Sequence, residues 1–207
     1  GYTPPRVVGL IGGGFVLASE SYNTGTLQYQ IEAIRYSNTG AVQTAKFQVN
    51  ASSTGNHYAA SLAALTGGGF IVGWGADNGD FDLSGIFGRR YSATAVAVDA
   101  AEFQINQHRL DDQNYPALAP LAGDLFLATW TDVTGASVAA GTYLGDIEAR
   151  ALGPVAVPDL TVTKAANGVF QQGGSASYTV TVTNSGTGPT TAAYTMTDTM
   201  PIGRQKC

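Results

Sequence analysis

The chain has 207 residues, 44% of them hydrophobic and only 12% charged, with a formal net charge of −5. That balance can fill the core of one large domain or two small ones, and it lacks the clustered basic face that nucleic acid requires, which excludes nucleic acid as a partner. A single cysteine, Cys207, excludes an internal disulfide, and no apolar run reaches the roughly 18 residues of a membrane-spanning helix. The first residues carry neither Met nor the basic and apolar segments of a secretory signal, so any export signal lies outside this sequence.

Short apolar runs punctuated by Gly, Asn, Ser and Thr clusters predict strands. An opening strand carries Pro5, Val7 and Leu10. Strands over 15–19, 27–36, 46–50 and 60–65 follow, then 70–74, 86–91, 102–106 and 117–121, then 125–130 and a less clear strand ending near Arg150. These elements repeat. Gly12-Gly13-Gly14-Phe15 returns as Gly67-Gly68-Gly69-Phe70 and, decayed, as Gly123-Asp124-Leu125-Phe126, a period of about 55 residues. Phe47-Gln48-Val49-Asn50 returns as Phe103-Gln104-Ile105-Asn106, and Arg35-Tyr36 as Arg90-Tyr91. A period of this size marks an array of one supersecondary unit.

Within the strand ending at Tyr91, Ile86, Gly88 and Arg90 share one face while Phe87, Arg89 and Tyr91 share the other. Bulk on both faces predicts a sheet covered on both sides, as when propeller blades stack. The expected fold is therefore all-β: a propeller-like or three-fold β-repeat domain of four-strand units over residues 1–153. Alignment of Val7 with Leu62 and Leu118 makes the chain open on the last strand of a repeat, either a velcro closure or a cut through a longer array. About two and a half units follow. A ring of four or more blades then needs upstream copies, and a three-fold barrel of about twelve strands is the alternative.

After Gly153 the texture changes. Pro154 and Pro158 bound a linker over 154–158. Asp159-Leu160-Thr161-Val162-Thr163-Lys164, Tyr178-Thr179-Val180-Thr181-Val182-Thr183-Asn184 and Thr197-Asp198-Thr199-Met200-Pro201 alternate Thr with apolar residues, as strands exposed on one face do. In order and spacing these motifs resemble the Ig-like repeat of unknown function in large bacterial surface and secreted proteins. The resemblance implies a partial Ig-like β-sandwich over 159–201, less than half of such a domain. Residues 202–207 read as a truncation or a vector-derived tail. The first 150 residues resemble, more loosely, the Gly-Gly-Phe-type repeats that neighbour calcium-binding and cadherin-like modules in giant bacterial exoproteins. Together the resemblances imply an extracellular or bacterial cell-surface location. A half sandwich leaves an open sheet edge through which self-association is expected.

Asp80, Asp82 and Ser84 occupy the first, third and fifth positions of an EF-hand-like loop, with Gly85 at the sixth and Asp77 just before it, a pattern able to hold calcium. The twelfth position is Tyr91 instead of Glu, and a solvated polar turn is the alternative reading. His57 and His108 are candidate general bases, although no nucleophile elbow or paired-His motif accompanies them. Alignment sets His57 opposite Gln113, which favours loop histidines. Trp74 and Trp130, at equivalent strand ends, could stack on sugars or anchor the core. Arg35 and Arg90, with Arg150 as a third, suggest a repeated structural hydrogen bond, with an axial anion site as the alternative. Lys164 and Asn184 invite an isopeptide bond that would need a buried acid, for which Asp198 is the candidate. The expected function is a non-catalytic module of a secreted or surface-anchored bacterial protein, used for adhesion or ligand binding. A Ca2+-dependent lactonase or esterase, built on Asp77, Asp80, Asp82 and a histidine, and a carbohydrate-binding module are the alternatives.

Overall fold

The computed structural model describes residues 4–77, 83–133, 145–153, 160–168, 177–184 and 195. Every regular element among them is a β-strand. The chain divides into two compact units, residues 1–154 and 155–207.

In the first, strands β1 (Arg6–Gly9), β2 (Phe15–Asn23), β3 (Gln28–Tyr36) and β4 (Val42–Gln48) form an antiparallel meander in that order. A second meander contains β5 (His57–Ala64), β6 (Phe70–Asp77), β7 (Ser84–Tyr91) and the short β8 (Phe103–Gln104). A third contains β9 (Asp112–Pro120), β10 (Phe126–Val133) and β11 (Gly145–Leu152). These are called units 1, 2 and 3. Units 2 and 3 are bridged in the ladder by one parallel pair, Ser84 and Asp112, whose side chains also hydrogen-bond at 2.8 Å.

The opening strand thus belongs to the unit that follows it, which corrects the expected phase of the repeat. β1 pairs with β2 along its whole length, because the turn between them is too tight to let it leave. Leu10 N donates to Gly14 O (2.9 Å), and the same bond recurs at Leu65–Gly69 and Leu121–Leu125 (2.8 Å each). The glycine run exists for this turn. Gly13, Gly68 and Asp124 occupy its left-handed position with φ of 94°, 91° and 60°, a conformation open to Gly and tolerated by Asp. Among the described residues the sheets are open, and they contain neither a velcro closure nor a twelve-strand barrel.

The Phe-Gln-x-Asn repeat has an equally local cause. Asn50 Oδ1 accepts from Ile31 N at 2.9 Å and Asn106 Oδ1 from Ile86 N at 2.8 Å. Each buried amide so continues the ladder past the last strand of its unit and satisfies a buried N–H that would otherwise lack a partner.

The units stack face to face, and both faces of unit 2 are covered, as its alternation predicts. Val16, Ala18, Ile31 and Val49 of unit 1 pack on Phe70, Val72, Trp74 and Tyr91 of unit 2. Ile71, Ile86 and Ile105 on the opposite face of unit 2 pack on Phe126, Ala128 and Trp130 of unit 3. Arginines fasten the stack. Arg89 Nη1 donates to Val49 O of unit 1 (3.3 Å) and Arg150 Nη1 donates to Ile105 O of unit 2 (2.9 Å).

In the second compact unit, β12 (Leu160–Ala166) and β13 (Tyr178–Asn184) form one antiparallel hairpin. The remaining strands expected of an Ig-like sandwich lie outside the described residues. Lys164 opposes Val180 and sits over the Tyr178 ring at 4.0 Å, whereas Asn184 opposes Leu160 at the other end of the hairpin. Four residues of strand, roughly 13 Å, therefore separate the two members of the proposed isopeptide. Asp198 lies outside the described residues.

Candidate functional site

A cleft of about 430 Å³ opens between the tail of unit 2 and the inner face of unit 3, lined by residues including His108, Trp130, Asp132, Asp146, Glu148 and Arg150. Its floor is a cross-strand ladder on β10 and β11. Ala128 opposes Arg150, Trp130 opposes Glu148, and Asp132 opposes Asp146. Residues directly opposed in an antiparallel pair share a face, as do residues two apart along a strand. All six side chains therefore project the same way.

The same ladder in unit 2 reads differently. There Val72 opposes Arg89, Trp74 opposes Phe87, and Ala76 opposes Gly85. The Arg and Trp are kept, while Phe87, Gly85 and Ala76 give way to Glu148, Asp146 and Asp132. Where unit 2 closes dry against unit 1, unit 3 leaves an acid-lined gap against unit 2. A bulge sits beside each tryptophan: the register of the neighbouring strand slips opposite Trp74 and Trp130, and Ala59 and Tyr115 take positive φ there (53° and 55°).

Asp132 is 6% exposed yet well held. Its Oδ2 lies 3.2 Å from His108 Nδ1, and its Oδ1 accepts from Gln113 Nε2 at 3.4 Å. Gln113, wholly buried, is itself fixed: Nε2 donates to Leu110 O (2.6 Å) and Oε1 accepts from Asn106 Nδ2 (2.9 Å). Asn106 also donates to His108 O at 2.6 Å, so one amide positions both the histidine loop and the glutamine that orients Asp132. Asp146 and Glu148 across the ladder are exposed. A buried, hydrogen-bonded carboxylate facing solvated ones is the arrangement that lets two acids take different roles.

The candidates read from sequence are dispersed. Of the histidines only His108 lines the cleft. His57 is 1% exposed, its Nδ1 has no hydrogen-bond partner, and burial pushes its pKa below 6.5, against the opposing pull of Glu102. It occupies the Gln113 position of unit 2, opposing Ala76 as Gln113 opposes Asp132, and so is not a loop residue at all. Trp74 is fully buried between units 1 and 2 and cannot meet a sugar; Trp130 lines the cleft while remaining 6% exposed.

Of the calcium candidates, Asp77 accepts from Asn56 Nδ2 at 3.0 Å and Ser84 is bonded to Asp112. Asp80 and Asp82 lie outside the described residues, and among the described residues no three His, Cys, Asp or Glu side chains gather to hold a metal. Nearby, Tyr58 OH donates to Asn114 Oδ1 at 3.2 Å, and burial pushes the phenol pKa up to about 12.

The arginine repeat needs a one-residue correction. Arg35 opposes Val16 and Arg90 opposes Ile71, but Arg150 opposes Ala128, the equivalent of Val72. Arg150 is therefore the partner of Arg89, on the opposite face from Arg90. Arg90 is occupied instead by a two-pronged ion pair with Asp99, which raises its pKa. Alignment of the third copy by its Arg hides the equivalence of Glu148 with Phe87. Strand-by-strand alignment from Phe126 would have exposed Asp132 and Asp146 as acids on an otherwise apolar ladder.

No family model matches the chain, and neither does any curated protein. Among solved structures, the fold is similar to the crystal structure of an endo-arabinase from Bacteroides thetaiotaomicron VPI-5482, with a TM-score of 0.50 and 11% identity, over 87% of this chain and 73% of that one. At this identity the likeness is one of fold. It nonetheless corrects the expectation of a non-catalytic adhesion module, because the structure matched is that of a catalytic enzyme.

Proposed function

We propose that residues 1–153 form a glycan-cleaving catalytic domain, a glycoside hydrolase, whose units are blades of a propeller-like scaffold. Face-to-face stacking of antiparallel meanders, four-stranded in units 1 and 2 and with three described strands in unit 3, supports the blade reading. The observation that carries the activity is the acid ladder beside Trp130, on a fold similar to that of an endo-arabinase.

Glycoside hydrolysis needs two carboxyl groups at a set separation: about 5–5.5 Å with retention of configuration, about 6.5–9.5 Å with inversion. Asp132 and Glu148 are diagonal neighbours, whose backbones stand about 7–8 Å apart, a spacing from which the two carboxyl groups can reach the inverting separation. Glu148 is assigned as the acid that protonates the leaving oxygen. Asp132, oriented by Gln113 and His108, is assigned as the base that activates water. Trp130 supplies an apolar edge for the sugar between them. The low charge suits an enzyme acting on a neutral polysaccharide.

Release of reducing ends from arabinan, and from a panel of other plant polysaccharides, tests the reading. Glu148→Gln should lose the polysaccharide reaction yet retain activity on an activated aryl glycoside, whose leaving group needs no proton. Asp132→Asn should lose both, by about 10²–10⁴-fold. Product of inverted configuration by NMR is expected. No turnover on any polysaccharide, or turnover untouched by both substitutions, overturns the assignment.

A further inference from the structure

Units 1 and 2 each close on a buried Asn and a pair of residues beyond it, and in unit 1 the backbone N–H groups of that pair grip a carboxylate. Glu102 of unit 2 accepts from Ala51 N and, through both of its oxygens, from Ser52 N at 3.2 Å. Successive backbone N–H groups turned to one side form a concavity that favours an anion. Here the neighbouring unit supplies that anion.

The same loop is built a second time at the end of unit 2. Ile105 N donates to Ile86 O at 2.7 Å as Val49 N does to Ile31 O at 2.8 Å. Asn106 Nδ2 donates to His108 O as Asn50 Nδ2 does to Ser52 O, 2.6 Å in both, and Arg150 reaches Ile105 O as Arg89 reaches Val49 O. Gln107 and His108 therefore hold the positions of Ala51 and Ser52, with their N–H groups turned toward the next unit in the same way. The next unit is unit 3, and the space between is the cleft, which both residues line. Glu102 lies just before β8, and the described strands of unit 3 bring no counterpart to it. Asp132 is committed to His108 and Gln113, and among the described residues no acceptor takes either N–H.

We propose that the Gln107–His108 N–H pair is a carboxylate-binding nest within the cleft, and that its ligand is a uronic acid residue carried on an otherwise neutral glycan. The pair takes the carboxylate oxygens as its twin takes Glu102. Hydrogen bonds to a charged acceptor are roughly twice as strong as neutral ones, so a sugar acid is preferred over a sugar that offers only hydroxyls. Arg150, anchored beside the nest through Ile105 O, and His108 when protonated supply positive charge against the repulsion of Asp146 and Glu148. The choice of a sugar acid rests on the glycan-cleaving reading, whereas the nest itself does not.

The test is an NMR titration of the isotope-labelled full chain with galacturonate and, in parallel, with galactose, read at the backbone amides. The Gln107 and His108 amide protons should move downfield with galacturonate across the millimolar range and stay in place with galactose. Those of Ala51 and Ser52, already held on Glu102, should move with neither. Gln107→Pro, which deletes one N–H, should weaken galacturonate by about tenfold or more, while Gln107→Ala, which keeps it, should not. The wild-type titration decides the matter even where the proline variant does not fold. Amides that ignore galacturonate, or that answer galactose equally, overturn the proposal. So do Gln107 and His108 amide protons that lie as far downfield as those of Ala51 and Ser52 before any ligand is added, the sign of a carboxylate supplied by the chain itself. Shifts without hydrolysis of any polysaccharide would sustain the nest and overturn the hydrolase reading; hydrolysis of neutral glycans without shifts would do the reverse.

Discussion

Units 2 and 3 share a strand ladder, a bulge, a tryptophan and an arginine, yet one closes a core and the other opens a cleft. The difference lies in three positions. Trp74 is flanked on its face by Phe87, Gly85 and Ala76, which bury it completely against unit 1. Trp130 is flanked by Glu148, Asp146 and Asp132, which cannot be desolvated together without large cost, so the neighbouring unit stands off and solvent enters. A repeat scaffold can thus gain a site by exchanging a few inward side chains, while its backbone stays as the other copies define it.

Transplanting one residue of unit 2 into unit 3 should have the largest effect. Glu148→Phe restores the apolar pair on Trp130, and it is expected to abolish glycan hydrolysis while leaving the denaturant midpoint unchanged or higher. A variant that keeps its activity would detach function from this ladder.

Next in size, Trp74→Ala should cost about 3–5 kcal/mol in urea unfolding, the range for an emptied aromatic site. Trp130→Ala should cost distinctly less, because its cavity joins an existing cleft. Equal losses would mean that the two interfaces are equally dry.

The fastening arginines should rank third. Arg89→Ala and Arg150→Ala should each lose about 1.5–3 kcal/mol, typical of a hydrogen bond from a charged group. Arg35→Ala, at a different register position, should lose less than either.

The smallest effect is a pH slope. His57 has its pKa lowered in the fold, so between that value and 6.5 the unfolded chain binds more protons than the folded one, and stability falls as pH drops through this window. His57→Gln installs the residue that unit 3 uses at the same position and should flatten the melting temperature across the acid range. A slope that persists would assign it to carboxylates instead.

Much of the scaffold was legible because its causes are local. The glycine runs announced turns that need a left-handed residue, and the Phe-Gln-x-Asn motif marked strands whose Asn ends the ladder. Alternation around Ile86 and Phe87 announced a sheet covered on both faces. The phase of the repeat is not fixed by the sequence, because hydrophobic pattern alone cannot tell which neighbour a strand pairs with. The site is hidden for a related reason: matching Arg150 to Arg90 shifts the register by one residue, and a shift of one moves every side chain to the opposite face.

The sequence by itself therefore determined the strands, the turns and the period of the array, since these follow from backbone preference and side-chain alternation within a few residues. Only the tertiary structure decided that Asp132, Asp146 and Glu148 face one cleft with His108, and that Trp74 is sealed while Trp130 is not. Those outcomes depend on which strand lies opposite and which unit lies behind it, contacts between residues far apart in the chain that no local pattern encodes.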